Sequence, residues 1–182
     1  RGERFDVFHA PAYTTPLVIR VGGRDELISV GAFRTVAYDP LSGKEIWHVQ
    51  YGDGFSNVPG PVYGHGLVFI ATGFHQPSLL AVRPGGSGDV TGTRVAWTLR
   101  RGVPLTPSPL LVGDELLAAS RRSIFVLDRR TLAVKHALEN REEWQFTGQL
   151  VRAPEGVISI VEHPYNSEIY THFVHLRPVA TG

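Results

Sequence analysis

Ala37-Tyr38-Asp39-Pro40-Leu41-Ser42-Gly43-Lys44-Glu45-Ile46-Trp47 reads as the end of one strand, a chemically specified turn and the start of another. Val36, Tyr38 and Asp39 close the first extended run, and Glu45 to Val49 open the next. Asp39 suits accepting hydrogen bonds from turn amides, Gly43 takes positive φ without steric cost, and Trp47 offers a large packing plate. A weaker copy lies at Val126-Leu127-Asp128-Arg129-Arg130-Thr131-Leu132-Ala133-Val134-Lys135-His136. An internal repeat of this kind decides the architecture before any single site does.

Outward from that turn, strand signals of four to six residues follow one another between Gly, Asp and Pro clusters, which predicts an all-β fold. They run from Leu17–Val21 through Thr35–Asp39, Leu67–Ala71, Leu79–Arg83 and Ile124–Asp128 to Val157–Glu162 and Thr171–Leu176. The one window with any helical periodicity is Thr131–Trp144. The punctuation repeats as well. Pro16, Pro61, Pro109 and Gln149 each open a strand, lie 45, 48 and 40 residues apart, and precede a tight turn and a more apolar strand. A unit of four short strands at that spacing is a propeller blade. The chain thus reads as a single β-propeller domain over 1–182, of about four four-stranded blades near 13–51, 56–99, 104–138 and 144–178. The stretch Pro84-Gly85-Gly86-Ser87-Gly88-Asp89-Val90-Thr91-Gly92 lengthens a turn of the second unit and reads as a mobile loop on one face.

Composition narrows the function classes. The 182 residues carry 18 basic and 17 acidic side chains, so net charge implies no nucleic-acid partner, and Arg100-Arg101, Arg121-Arg122 and Arg129-Arg130 read as solvated turns. There is no cysteine, which excludes disulfides, thiolate catalysis and zinc ribbons. Methionine is absent too, even at position 1, which reads as a chain begun downstream of its natural start, processed or engineered. No run reaches the roughly 18 apolar residues of a membrane span.

The segment from Ala37 to Trp47 resembles the pyrroloquinoline-quinone-type β-propeller repeat, whose hallmark is Ala-x-Asp-x-x-Thr/Ser-Gly-x-x-x-Trp between the third and fourth strands of a blade. The second unit keeps Ala81 and Trp97 around its insertion. The third keeps Asp128 and Thr131, with Leu132 for the glycine and His136 for the tryptophan. The fourth has lost the signature. The resemblance implies a bacterial periplasmic or extracellular setting, and a role that in such propellers ranges from quinoprotein dehydrogenase to assembly scaffold. Leucine in the left-handed region costs about 1 kcal/mol or more, so a third turn of different geometry is expected at Leu132. Four units are also few for this class. The chain is then a fragment, a compact ring, or half of a ring completed by dimerisation, since open end blades expose edges and apolar faces.

The candidate constellations point away from catalysis. Zinc needs three or four convergent ligands, and the eight histidines show no such spacing; His172 and His175, three apart on a strand, face opposite ways. A quinone dehydrogenase of this class holds calcium and stacks its cofactor beside a vicinal disulfide. Without cysteine, and with Asp53, Asn57 and Asp89 as the only oxygen ligands near loops, the chain does not supply that site alone. No Gly-x-Ser-x-Gly elbow occurs. No catalytic residue, cofactor or metal is therefore assigned. The segment Tyr51–Pro61 links the outer strand of one blade to the inner strand of the next and so reaches a propeller face. Tyr51 and Phe55 offer aromatic contact there, and Asp53, Ser56 and Asn57 offer polar groups. Ala37, Asp39, Gly43, Trp47, Trp97 and Asp128 read as blade architecture. The expectation is a non-catalytic scaffold binding a protein or small ligand, or associating with itself. A dehydrogenase-like fragment and an engineered module without ligand are the alternatives.

Overall fold

The computed structural model describes residues 11–52, 54–73, 76–120, 123–131, 133–139, 145–146, 149–153, 156–162 and 169–174. The first unit supplies β1 (Leu17–Val21), β2 (Arg24–Val30), β3 (Arg34–Tyr38) and β4 (Glu45–Gln50). The second supplies β5 (Val62–Gly64), β6 (Leu67–Thr72) and β7 (Ser78–Val82). After them come β8 (Gly88–Asp89), one helical turn α1 (Thr91–Arg94) and β9 (Val95–Leu99). The third contains β10 (Leu110–Val112), β11 (Glu115–Ala119), β12 (Ser123–Asp128) and β13 (Val134–Glu139). The fourth contains β14 (Gln145–Phe146), β15 (Val151–Ala153), β16 (Gly156–Glu162) and β17 (Ile169–Val174). Each of the first three units is an antiparallel meander in one sheet. In the fourth, β14 and β15 share one edge of β16 while β17 pairs with the other. Thr171 and its neighbours therefore stand in the third strand of that sheet.

The repeat that the sequence shows as Ala…Trp is a cross-strand pair. Ala37 lies opposite Trp47, Ala81 opposite Trp97, and Val126 opposite His136. In all three sheets the register then slips by one residue, between Ala37 and Tyr38, Ala81 and Val82, and Val126 and Leu127. In the first two units a small residue facing a large one leaves room for the indole, and the bulge bends the outer strand at the same place in all three sheets. The turns that follow are built alike. Asp39 Oδ1 accepts from the amides of Leu41 (3.0 Å) and Ser42 (2.8 Å), and Asp128 Oδ1 from those of Arg130 (2.9 Å) and Thr131 (3.0 Å). Those bonds stabilise the ionised side chains and hold both carboxyls below their ordinary range. Gly43 sits at φ 69°. The change of geometry expected in the third turn is absent from these closing bonds, and Leu132 itself lies outside the described residues.

Three apolar clusters join the units in series. Ile28, Trp47 and Val49 meet Val68, Ile70 and Leu80; Phe69 and Leu79 meet Leu116 and Leu127; Leu117 and Ile124 meet Leu150. Alternation explains the arrangement: Val68 and Ile70 face the first unit while Phe69 and Ala71, one residue out of phase, face the third. Strands between two units are therefore buried nearly throughout, as in β7 and β11, whereas β2 buries only Glu26, Ile28 and Val30. The first unit thus packs one face on its neighbour, and the other carries exposed Val18 and half-buried Leu27.

Two sequence expectations are corrected. The insertion is not a loose loop. Its β8 pairs in parallel with β4, Trp47 opposite Gly88 and His48 opposite Asp89, so the second unit's insertion becomes a fifth strand of the first sheet. Val90 N donates to His48 O at 2.9 Å and Gln50 N to Thr91 Oγ1 at 2.9 Å, while the Val90 side chain enters the first cluster. The unsatisfied edge of β4 accounts for the docking, because those amides and carbonyls need partners. The supposed helical window contains β13 instead. A weak 3.6-residue pattern yields there to the ladder that the edge of β12 offers.

Candidate functional site

The connector from Tyr51 to Pro61 and the β2–β3 turn meet at one end of the first two blades. Phe33 N donates to Gly54 O (2.6 Å) and Tyr51 N to Phe33 O (3.0 Å), tying turn to connector. Beneath them Asn57 is fully buried, with both ends of its amide committed. Nδ2 donates to Gly31 O at 2.7 Å and lies 3.1 Å from the Tyr51 hydroxyl, and Oδ1 accepts the Gly73 amide. One side chain thus bridges the β2–β3 turn of the first unit and the end of β6 in the second. The Tyr51 hydroxyl donates to the same Gly31 carbonyl. Burial pushes the Tyr51 phenol up to about 12. Thr35 Oγ1 flanks that phenol and is the one buried side-chain oxygen or nitrogen without a hydrogen bond among the described residues.

Close backbone approach explains the local glycines. A Cβ on Gly73 would stand 1.6 Å from Phe55 O, and one on Gly54 would stand 2.7 Å from the Tyr51 ring. Above this seat the apolar side chains come to the surface. Phe33 (46% exposed) packs its ring 6.4 Å from that of half-buried Phe55; Val58 and Tyr13 are exposed, and Tyr13 N donates to Asn57 O at 2.7 Å. Phe33 (φ 68°) and Ser56 (φ 54°) are two of the three non-glycine residues at positive φ among those described. Such backbone costs about 1 kcal/mol or more per residue and concentrates where geometry serves a task.

Of the residues expected to form a site, Tyr51, Phe55, Ser56 and Asn57 are brought together, but they do not act alike. Phe55 reaches the surface. Ser56, half-buried, is fixed by its amide to Pro11 O at 2.7 Å. Asn57 and Tyr51 are the seat: their polar atoms are spent inside, which corrects the expectation that Asn57 meets a partner. Asp53 lies outside the described residues. Phe33, Val58 and Tyr13 were not legible as site residues; an aromatic in a tight turn, where Gly, Asn or Asp is usual, is the signal that marks Phe33. Beside Tyr51 the same end of the molecule opens a cleft of about 570 Å³, with Gln50, Ser78, Thr91 and Arg100 on its walls.

Of the oxygen donors that a calcium-bound quinone would need, the two described ones, Asn57 and Asp89, are already committed. Asn57 is committed as described. Asp89 accepts Thr91 N and Oγ1 (2.9 and 2.6 Å) and Gln50 Nε2 (2.9 Å), bonds that depress its carboxyl and close the insertion onto the first blade. His65, at φ 53°, bonds Gly113 O through Nε2 at 2.7 Å and joins the second and third blades. No group of three His, Asp or Glu side chains converges among the described residues. Trp47 is wholly buried, its Nε1 donating to Glu26 Oε2 at 2.7 Å.

No family model matches the sequence, and no curated protein matches it. Solved structures do. The β-propeller domain of Cps50 (Swd1) from Myceliophteria thermophila superposes with a TM-score of 0.55 at 19% identity, over 95% of this chain and 54% of that one. The computationally designed Ika4 protein gives 0.54 at 12%, over 91% and 90%. The WD40 domain of Pan2 from Neurospora crassa gives 0.50 at 15%, over 86% and 45%. The fold is that of a β-propeller, and the chain spans about half the length of the two fungal propeller domains. No helix among the described residues is long and apolar enough to cross a membrane.

Proposed function

We propose that this chain is a non-catalytic propeller module that takes a protein partner on the surface formed by Tyr13, Phe33, Phe55 and Val58. The observation that carries the reading is the contrast between that exposed apolar patch and the fully bonded seat of Asn57, Tyr51 and Gly73 below it. A seat without rotational freedom presents the aromatics at low entropic cost to binding. Exposed aromatics on a rigid base are the usual anchors of a protein interface. Likeness to the propeller domains supports the module reading. The pairs Ala37–Trp47 and Ala81–Trp97, with the two aspartate turns, support the quinone-type repeat and the periplasmic or extracellular setting that goes with it.

Phe33→Gly tests the reading because it separates binding from folding. Glycine relieves the positive φ, so the melting temperature stays level or rises, while proteins captured from a bacterial envelope extract by the immobilised chain fall away. Full capture by this variant combined with Val58→Ser would overturn the assignment.

A second reading concerns the ring. Among the described residues the first unit packs one face, and the chain covers about half of two propeller domains. A second copy that closes the ring would cover that face, giving a mass of about 40 kDa from two 20.0 kDa chains. A 20.0 kDa species in light scattering at all concentrations would remove this reading.

A further inference from the structure

At the opposite end of the blades, the β5–β6 turn and the turn after β12 enclose a second cleft of about 490 Å³. Its floor is apolar: Tyr63, Leu67 and Trp97. Trp97 is held rigidly, its ring 5.8 Å from that of Phe69 and its Nε1 donating to Arg129 O at 3.2 Å. Three arginines, Arg83, Arg129 and Arg130, also line the cleft. Arg129 is a wall element, largely buried, with Nε and Nη2 on Asp114 Oδ1 at 2.9 and 2.6 Å. Arg83 and Arg130 differ. Both are exposed, one on each side of the boundary between second and third blades; neither side chain makes an ion pair or hydrogen bond at contact distance among the described residues, though the Arg130 charge acts on Asp114 as well. Among the described residues Asp114 is the one carboxylate set against these three arginines, so the cleft is left with excess positive charge.

We propose that this cleft binds an acidic peptide segment, its carboxylates met by Arg83 and Arg130 and its apolar side chains laid on Tyr63, Leu67 and Trp97. Guanidiniums pair carboxylates through paired donors, and a partly desolvated floor strengthens such contacts. A nucleic acid fits less well. The cations form two points over an apolar floor, with no basic stripe to follow a phosphate backbone, and the chain as a whole carries a net charge of +1. The cleft is distinct from the aromatic patch, so the two sites stand or fall separately.

The test is fluorescence anisotropy of a labelled short peptide of alternating glutamate and leucine, titrated with the whole chain. Saturable binding is expected, weakened by salt and weakened about tenfold in the double variant Arg83→Ser/Arg130→Ser. Both arginines lack side-chain bonds, so the melting temperature of that variant is expected to hold. The peptide with glutamine for glutamate is expected not to bind. Arg100→Ser, on the other end, removes a positive charge outside the cleft and must leave affinity unchanged. Unsaturable binding, equal affinity in the double variant, equal weakening by Arg100→Ser, or tighter competing binding of a single-stranded oligonucleotide would each overturn the proposal.

Discussion

The first and second blades are joined differently from the second and third, although the same sequence motif stands at both places. Trp47 turns its indole N–H to Glu26 of its own blade, and both groups are fully buried. Trp97, half-buried, turns its N–H to the backbone of Arg129 in the next blade. The first junction adds the Asn57 bridge and the strap of β8, both dependent on backbone that only glycine permits or on an edge left open. Among the described residues the second junction adds only side-chain to backbone contacts, His65 to Gly113 O and Ser108 Oγ to Gly60 N. A repeat motif therefore fixes where the large side chain goes without fixing what satisfies it. The junction locked by buried polar groups is also the one that carries the aromatic patch.

The largest effect expected from breaking this asymmetry is at Gly73. Gly73→Ala places a methyl group inside Phe55 O and should destabilise by about 4 kcal/mol or prevent folding. Gly113→Ala, in the turn at the other junction, meets open space and costs about 1 kcal/mol from its positive φ alone. Chemical denaturation of the two variants reads the difference directly, and equal losses would mean that the first junction is not specially locked. Next comes the indole partner. Glu26→Leu strands the buried Trp47 N–H and should cost about 2 kcal/mol, whereas Trp97→Phe loses a longer, partly exposed bond and should cost about 1 kcal/mol.

A further readout of the first junction is in pH. A phenol raised to about 12 in the folded chain, against about 10 unfolded, adds stability that is complete below pH 10. That contribution disappears as pH rises through the folded value. Tyr51→Phe should therefore be less stable than the parent at neutral pH, for lack of the Gly31 bond, and should close the gap between about pH 10 and 12. A constant difference across that range in alkaline denaturation would show that the phenol is not buried in solution.

How much of this could be read from the residues differs by region. The turn at Asp39, the apolar strand from Leu67 to Ala71 and the strand–turn–strand from Ala37 to Trp47 are local chemistry, and local chemistry is legible. The role of Asn57 was not. Nothing in a glycine-rich connector shows that its amide will be carried inside, because that depends on Gly31 and Gly73 arriving from two separate hairpins. The insertion misled for the same reason. Gly85, Gly86 and Gly88 at positive φ look like looseness, yet they let the chain double back onto β4. Phe33 became visible only when its neighbours showed that it is exposed and left-handed. Tertiary partners, not propensity, decide all three.

If the aromatic patch rides on a rigid seat, native-state hydrogen exchange of the seat amides will report it. The amides of Phe33, Gly73 and Val90 donate to Gly54 O, Asn57 Oδ1 and His48 O. Protection comparable to that of the β6 and β7 amides is the predicted result. Exchange of these three at the rate of unstructured chain, with β6 and β7 still protected, would contradict the claim. The connector and strap would then be loose cover and the patch no preformed binding surface.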